Sequence, residues 1–184
     1  GILYNIPDKR LFTADQIAVE ELFIVGPSGF FPPTDGEAIS PTPVPLSDLG
    51  KYSFILPTQQ HGLRRFLDEK AKQYSLELNV TFELDSLAHI KTLIMRGHGF
   101  SLLSHAAIAE ELKEGRCSAA RISKPIFRRG IFMVRNPAHI VTRASVRISD
   151  LFAEIVTKLI NEGDWIASRV AMADDRFQVG KLNS

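Results

Sequence analysis

Four consecutive polar residues, Thr58, Gln59, Gln60 and His61, stand between a short apolar run that ends at Pro57 and a stretch with helical spacing. A strand end handing over to a helix start is the edge at which open α/β sheets place ligands. Main-chain N–H groups at a helix start lack intrahelical partners and sit at the positive end of the helix dipole, so they can receive a carboxylate, with Thr58 and the two glutamines adding orienting hydrogen bonds. The chemistry implied is capture of a small anionic or polar molecule. The same residues also allow a plainer reading, in which Thr58 caps the helix and the glutamines lie in solvent. Arg64 and Arg65, one turn further on, are second choices for the anion, since charged residues there usually occupy a solvated face.

Chemistry of other kinds finds little support. His98 and His105 lack the i, i+4 spacing and the flanking ligands of a zinc site, and His89 and His139 are isolated, so no metal is expected. Cys117 is the single cysteine, which rules out an internal disulfide, fits a reducing cytoplasm and reads as an inert thiol packed in or near a strand. No nucleophile elbow, Walker loop or dinucleotide fingerprint occurs, so neither catalysis nor a cofactor is expected. With 22 basic and 21 acidic residues the net charge is +1, and no global field draws these residues onto nucleic acid or an anionic membrane. The apolar runs are far shorter than the ~18 to 20 residues of a membrane helix.

The elements that position Thr58–His61 follow from periodicity. Residues 21 to 26 read as a buried strand, and residues 27 to 45, rich in Pro and Gly, as a long surface loop. Strand and helix patterns then alternate. Tyr52 to Leu56 is a strand, and Leu63, Phe66, Leu67, Ala71 and Tyr74 form a helical stripe. Leu76 to Leu84 is a strand, and Asp85-Ser86 caps a helix carrying Leu87, Ile90 and Ile94, which Gly97-His98-Gly99 breaks. Phe100 to Leu103 is a strand, Ser104 a cap, and Ala106 to Leu112 a short helix. Such alternation predicts a mostly parallel sheet flanked by helices. A strand over 126 to 135 and a helix from about Thr142, with Ile148, Leu151, Phe152, Ile155 and Leu159 on one face, complete the pattern. That stripe needs a partner. Pro7-Asp8-Lys9-Arg10 is a polar connection, and the residues after Trp165 read as a tail.

Five landmarks in fixed order carry a resemblance: Gly1-Ile2-Leu3-Tyr4-Asn5, Glu21 to Val25, Pro45-Leu46-Ser47-Asp48-Leu49, Phe54 to Arg65 and Ile90 to Leu103. In this order and spacing, from Gly1 to about Trp165, the chain resembles the C-terminal part of LysR-type transcriptional regulators. ILYN and LPTQQHGLRR look like the nitrogen-assimilation-control subgroup. The family usually has Pro where Ser104 stands. The resemblance implies an α/β, two-lobed periplasmic-binding-protein-like fold of type II, with the second lobe complete and the first partial. It places the first lobe at 1–20 and 136–184, crossover strands at 21–26 and 130–135, and the second lobe at 27–129. It further implies an effector site at Thr58, Gln59, Gln60, His61 and Ser104, with Tyr4 and Asn5 approaching from the first lobe, although Tyr4 reads equally well as core. The implied function is sensing of a small-molecule effector, by a chain that contacts DNA only through a helix-turn-helix outside these residues and works as a homo-oligomer, dimer or tetramer. A transport-type solute-binding protein would share the fold, and an enzyme on the same scaffold is the third reading.

Overall fold

The computed structural model describes residues 1–5, 12–34 and 37–169, so the polar connection at 7–10 and the segment 170–184 lie outside the described residues. In chain order the elements are β1 (Ile2–Tyr4), β2 (Thr13–Pro27), β3 (Ser40–Pro45), β4 (Ser53–Leu56), α1 (Gly62–Gln73), β5 (Asn79–Glu83), α2 (Leu87–Met95), β6 (Ser101–Ser104), α3 (His105–Lys113), β7 (Cys117–Ser123), β8 (Arg128–Arg135), α4 (Arg143–Asn161) and β9 (Ala167–Arg169), with a 3-10 turn at Leu46–Lys51. They fall into two compact units, Gly1–Glu20 with Arg128–Ser184, and Glu21–Phe127.

The Glu21–Phe127 unit is built on a mixed sheet. Strand β4 runs parallel to β5, and parallel to β6 through the bridge Phe54↔Phe100. The β2 segment from Leu22 to Pro27 pairs antiparallel with both β6 and β7, and β3 lies parallel to β7. The expected mostly parallel sheet is therefore broken by β2, which enters against the direction of its neighbours. Its run Leu22-Phe23-Ile24-Val25 is buried throughout, as a strand covered on both faces requires. Each helix docks one stripe: Leu63, Phe66 and Leu67 on α1, Ile90 and Ile94 on α2, Ile108 and Leu112 on α3. At about 1.5–3 kcal/mol per fully buried large side chain, these seven residues are a principal source of the unit's stability. Gly97, at φ 78°, ends α2, its N–H donating to the Ile94 carbonyl, in the left-handed conformation a helix C-terminus favours glycine for.

The surface loop expected over 27–45 is corrected at its end. Ser40–Pro45 is an edge strand, with only Ser40 and Val44 buried and its three prolines exposed, and an edge is where a strand tolerates residues that lack an N–H. In the other unit, β1 pairs antiparallel with β8 and β9 with β2. Ala167–Arg169 was expected to be tail. The core here is small: Ile17, Ala18, Ile131 and Val156, with Met133, Phe152, Ile160 and Trp165 packed against it. Helix α4 opens on a capping box between Thr142 and Ser145, as the Thr142 start predicts. Of its expected apolar stripe, Phe152 packs inward, whereas Ile148, Leu151, Ile155 and Leu159 are 36–67% exposed.

Candidate functional site

Strands β4, β5 and β6 point the same way, so their carboxyl ends share one edge of the Glu21–Phe127 unit, and each passes at that edge into a helix. Extending the ladders fixes which residues meet there. Leu56 pairs with Glu83, which puts Thr58 level with Asp85. Phe54 bridges to Phe100, which sets β4 beside β6. Ser104 in turn pairs with Leu22, and one residue closer to the edge on β2 is Glu21. Asp85 and Thr58 follow the ends of β5 and β4, Ser104 ends β6 and Glu21 lies on β2, so the four residues belong to the same edge of four neighbouring strands.

Asp85 and Thr58 are joined directly. The Thr58 N–H donates to Asp85 Oδ1 at 3.0 Å, and the Thr58 hydroxyl reaches both carboxylate oxygens at 2.8 and 3.0 Å. The hydroxyl contact, then the amide contact, holds the Asp85 carboxyl below its ordinary pKa, because both donors favour the charged form. The expectation of open amides is corrected on this point: the Thr58 N–H is already taken by a carboxylate. Nor does Thr58 cap α1. His61 does, its Nδ1 accepting from the Leu63 N–H at 3.2 Å. The main-chain N–H groups of Gln59, Gln60 and Gly62 donate to no partner among the described residues, and all three residues are exposed.

Helix α2 is capped as well, by Ser86 rather than Asp85. Helix α3 is the exception. Ser104 occupies its N-cap position, yet the hydroxyl makes no capping bond, and the residue is only 5% exposed. Beside it Glu21 is 9% exposed, and its Oε1 atom is buried without a hydrogen-bond partner. A buried acceptor left without a donor costs free energy, which makes this edge chemically unfinished.

The two arginines separate. Arg65 is exposed and donates to the Gln60 carbonyl at 3.1 Å. Arg64 lies buried instead of on a solvated face, with Nε 2.9 Å from Asp68 and Nη1 2.5 Å from Glu83 and 3.2 Å from the Pro57 carbonyl. Burial works against its charge, but the hydrogen bonds and charges of Glu83 and Asp68 outweigh it and raise the guanidinium above its ordinary value. Arg64 is therefore committed to tying α1 to β5. Tyr4 and Asn5 belong to the other unit. Tyr4 is 51% exposed, not core, with the Arg129 guanidinium 3.9 Å from its ring centroid, and Asn5 exchanges hydrogen bonds with Gly130 at 3.0 and 3.1 Å. Burial and the charge of Glu111 push the Cys117 thiol up to about 11, so the thiolate needed for reactivity is scarce at neutral pH.

The family model of the LysR substrate binding domain matches residues 1–155. The chain belongs to this family. Among curated proteins, the HTH-type transcriptional regulator BbuR of Bordetella bronchiseptica is 23% identical over 171 residues, covering 90% of this chain and 49% of that regulator, so the chain spans about half its length. The CcmR regulatory domain of Synechocystis PCC6803, solved in complex with 2-PG, superposes with a TM-score of 0.69 at 19% identity, over 85% of this chain and 72% of that one. The QuiR effector binding domain in complex with shikimate does so with a TM-score of 0.66 at 16% identity, over 85% and 71%. The fold is thus the two-lobed, periplasmic-binding-protein-like α/β fold of LysR substrate-binding domains. Sequence reasoning missed Asp85 and Glu21. Asp85 beside Ser86 reads as part of a helix cap, and Glu21 opens an apolar run, so neither local pattern announces an edge residue. No helix among the described residues is long and apolar enough to cross a membrane.

Proposed function

We propose that this chain is the effector-sensing part of a LysR-type transcriptional regulator, and that a small polar or anionic metabolite docks on the edge formed by Asp85, Thr58, Ser104 and Glu21. The observation that carries the reading is Ser104: a buried hydroxyl without a capping bond, at the only one of the three helix starts on that edge that no side chain caps. The exposed amides of Gln59, Gln60 and Gly62 stand one strand away and supply further donors. Residues 21–26 and 130–135 cross between the lobes, and effector binding biases the protein between two arrangements through its different affinity for each. The protein senses and does not catalyse, acts in the cytoplasm as a homo-oligomer, and reaches DNA through a helix-turn-helix that these residues do not include.

Two relatives of this fold are named with 2-PG and with shikimate bound, and both ligands are natural first members of a carboxylate panel here. A thermal-shift screen of small carboxylates tests the reading. At a concentration a hundred times Kd a bound effector adds about 2.7 kcal/mol. The expected outcome is a raised melting temperature with at least one acid, reduced by Ser104→Ala. A rise that Ser104→Ala leaves unchanged would move the site elsewhere.

A further inference from the structure

Helix α4 carries two apolar stripes. Phe152 and Ile160 belong to the one packed on its own sheet around Val156. The other runs through Ile148, Leu151, Ile155 and Leu159, at spacings that keep to one side of an α-helix, and Ile140 and Val141 just before the helix are bare as well. These six side chains are 36–91% exposed and leave on the order of 600 Å² of apolar surface, as much as the largest patch on a typical monomer. A stable interface takes about 800 Å² from each partner, so this patch with its polar margin supports an association at the weak end of the range.

Charge decides what fits there. Arg147 and Glu154 lie two turns apart on one margin of the outward stripe, both largely exposed, and their mutual contact is a long 3.7 Å. A two-fold axis passing between Asp150 and Leu151 makes a neighbouring α4 antiparallel and sets Arg147 beside Glu154 of the partner subunit, twice over. The same axis lies between Ile148 and Leu151 and brings Ile140 and Val141 to the far end of the neighbour's stripe, next to Leu159 of the partner subunit. A parallel pair would turn the charged margin away from its own copy and set the two helix dipoles side by side in the same direction. The face complements itself.

We propose that α4 is a self-association face, on which a second copy of this chain packs its own α4 antiparallel, with Arg147 of each subunit beside Glu154 of the partner subunit. This gives the homo-oligomer a contact face and uses no residue of the effector edge, so the two readings fail separately.

Sedimentation equilibrium at rising concentration reads the pairing. The mean mass should climb from that of one 20.5 kDa chain towards twice that value, with a dissociation constant on the order of tens of micromolar. Optical melts on dilute protein read the free chain. Ile148→Lys/Leu151→Lys, at two exposed positions, should therefore leave the melting temperature and helix content unchanged while abolishing the climb. Arg147→Glu and Glu154→Arg should each weaken the dimer about tenfold, and the double exchange should restore it, since each pair occurs twice. A single-chain mass at every concentration, or a dimer that survives Ile148→Lys/Leu151→Lys, would overturn the proposal. A dimer indifferent to both charge reversals would overturn its antiparallel register.

Discussion

The two units solve the problem of apolar surface differently. In Glu21–Phe127 three helices bury their stripes on a mixed sheet, and Phe54, Ile55, Leu56, Leu67, Leu22 and Phe23 are wholly withdrawn from solvent. In the other unit a single described helix, α4, covers a small sheet, and its second face stays open. Ile140 is 91% exposed and Ile148 67%, and an apolar hollow of about 400 Å³ lies among Ile2, Met133, Val141, Ile148 and Phe152. A helix can turn one face to its own sheet, and α4 spends that face on Phe152, Val156 and Ile160. The edge proposed to sense the effector belongs to the unit whose core is closed, where side-chain positions are held by packing.

The comparison breaks most visibly at paired core substitutions. Phe54→Ala removes a fully buried ring and should cost about 3–5 kcal/mol in urea unfolding. Leu151→Ala, at 46% exposure, should cost less than about 1 kcal/mol. Equal losses would mean that the α4 face is covered in solution. Light scattering then decides whether a second 20.5 kDa chain does the covering, as the sequence pattern leads one to expect.

Ion pairs sharpen the contrast in the opposite direction. The smaller unit holds the more deeply buried pair, Glu20 at 1% exposure with Arg129 at 2.5 Å, whereas the partners of Arg64 in the larger unit are nearly half exposed. Arg129→Met strands a buried carboxylate and loses the stacking on Tyr4, and should cost about 3–5 kcal/mol by chemical denaturation. Arg64→Met leaves Asp68 and Glu83 to water and should cost about 1–2 kcal/mol. A larger loss for Arg64→Met would show that tying α1 to β5 matters more than burial of the pair.

What the sequence made legible follows the same division between local and tertiary causes. Helices α1, α2 and α4 announce themselves because Leu63/Phe66/Leu67, Ile90/Ile94 and Phe152 recur at helical spacing, and Gly97 marks a stop. Strand β3 hides behind Pro41 and Pro43, which are tolerated only because the strand is an edge. Strand β7 begins Cys117-Ser118-Ala119-Ala120, residues too small to give an apolar alternation although all four are buried. At the site, the Thr58–His61 bend could be read from a strand end and a helix start. The Asp85 carboxylate over Thr58, 27 residues away, arises from β4·β5 register alone, and no local pattern encodes it.

That same contact gives the smallest expected effect and the finest test of the edge's geometry. Its carboxyl is held below the ordinary value by Thr58, so the folded state favours the charged form. The contribution is present above the unfolded pKa and is lost as pH falls through the lower, folded one. Asp85 is exposed, and solvent screening keeps the effect on stability slight. A carboxyl-resolved NMR titration reads it directly. Asp85 should titrate below a free aspartate in the parent protein and move back toward the ordinary value in Thr58→Val, which keeps the main-chain N–H but removes the hydroxyl, the stronger of the two influences. An Asp85 titration unmoved by Thr58→Val would mean that the hydroxyl does not reach the carboxylate in solution. Thr58 would then be free for a ligand.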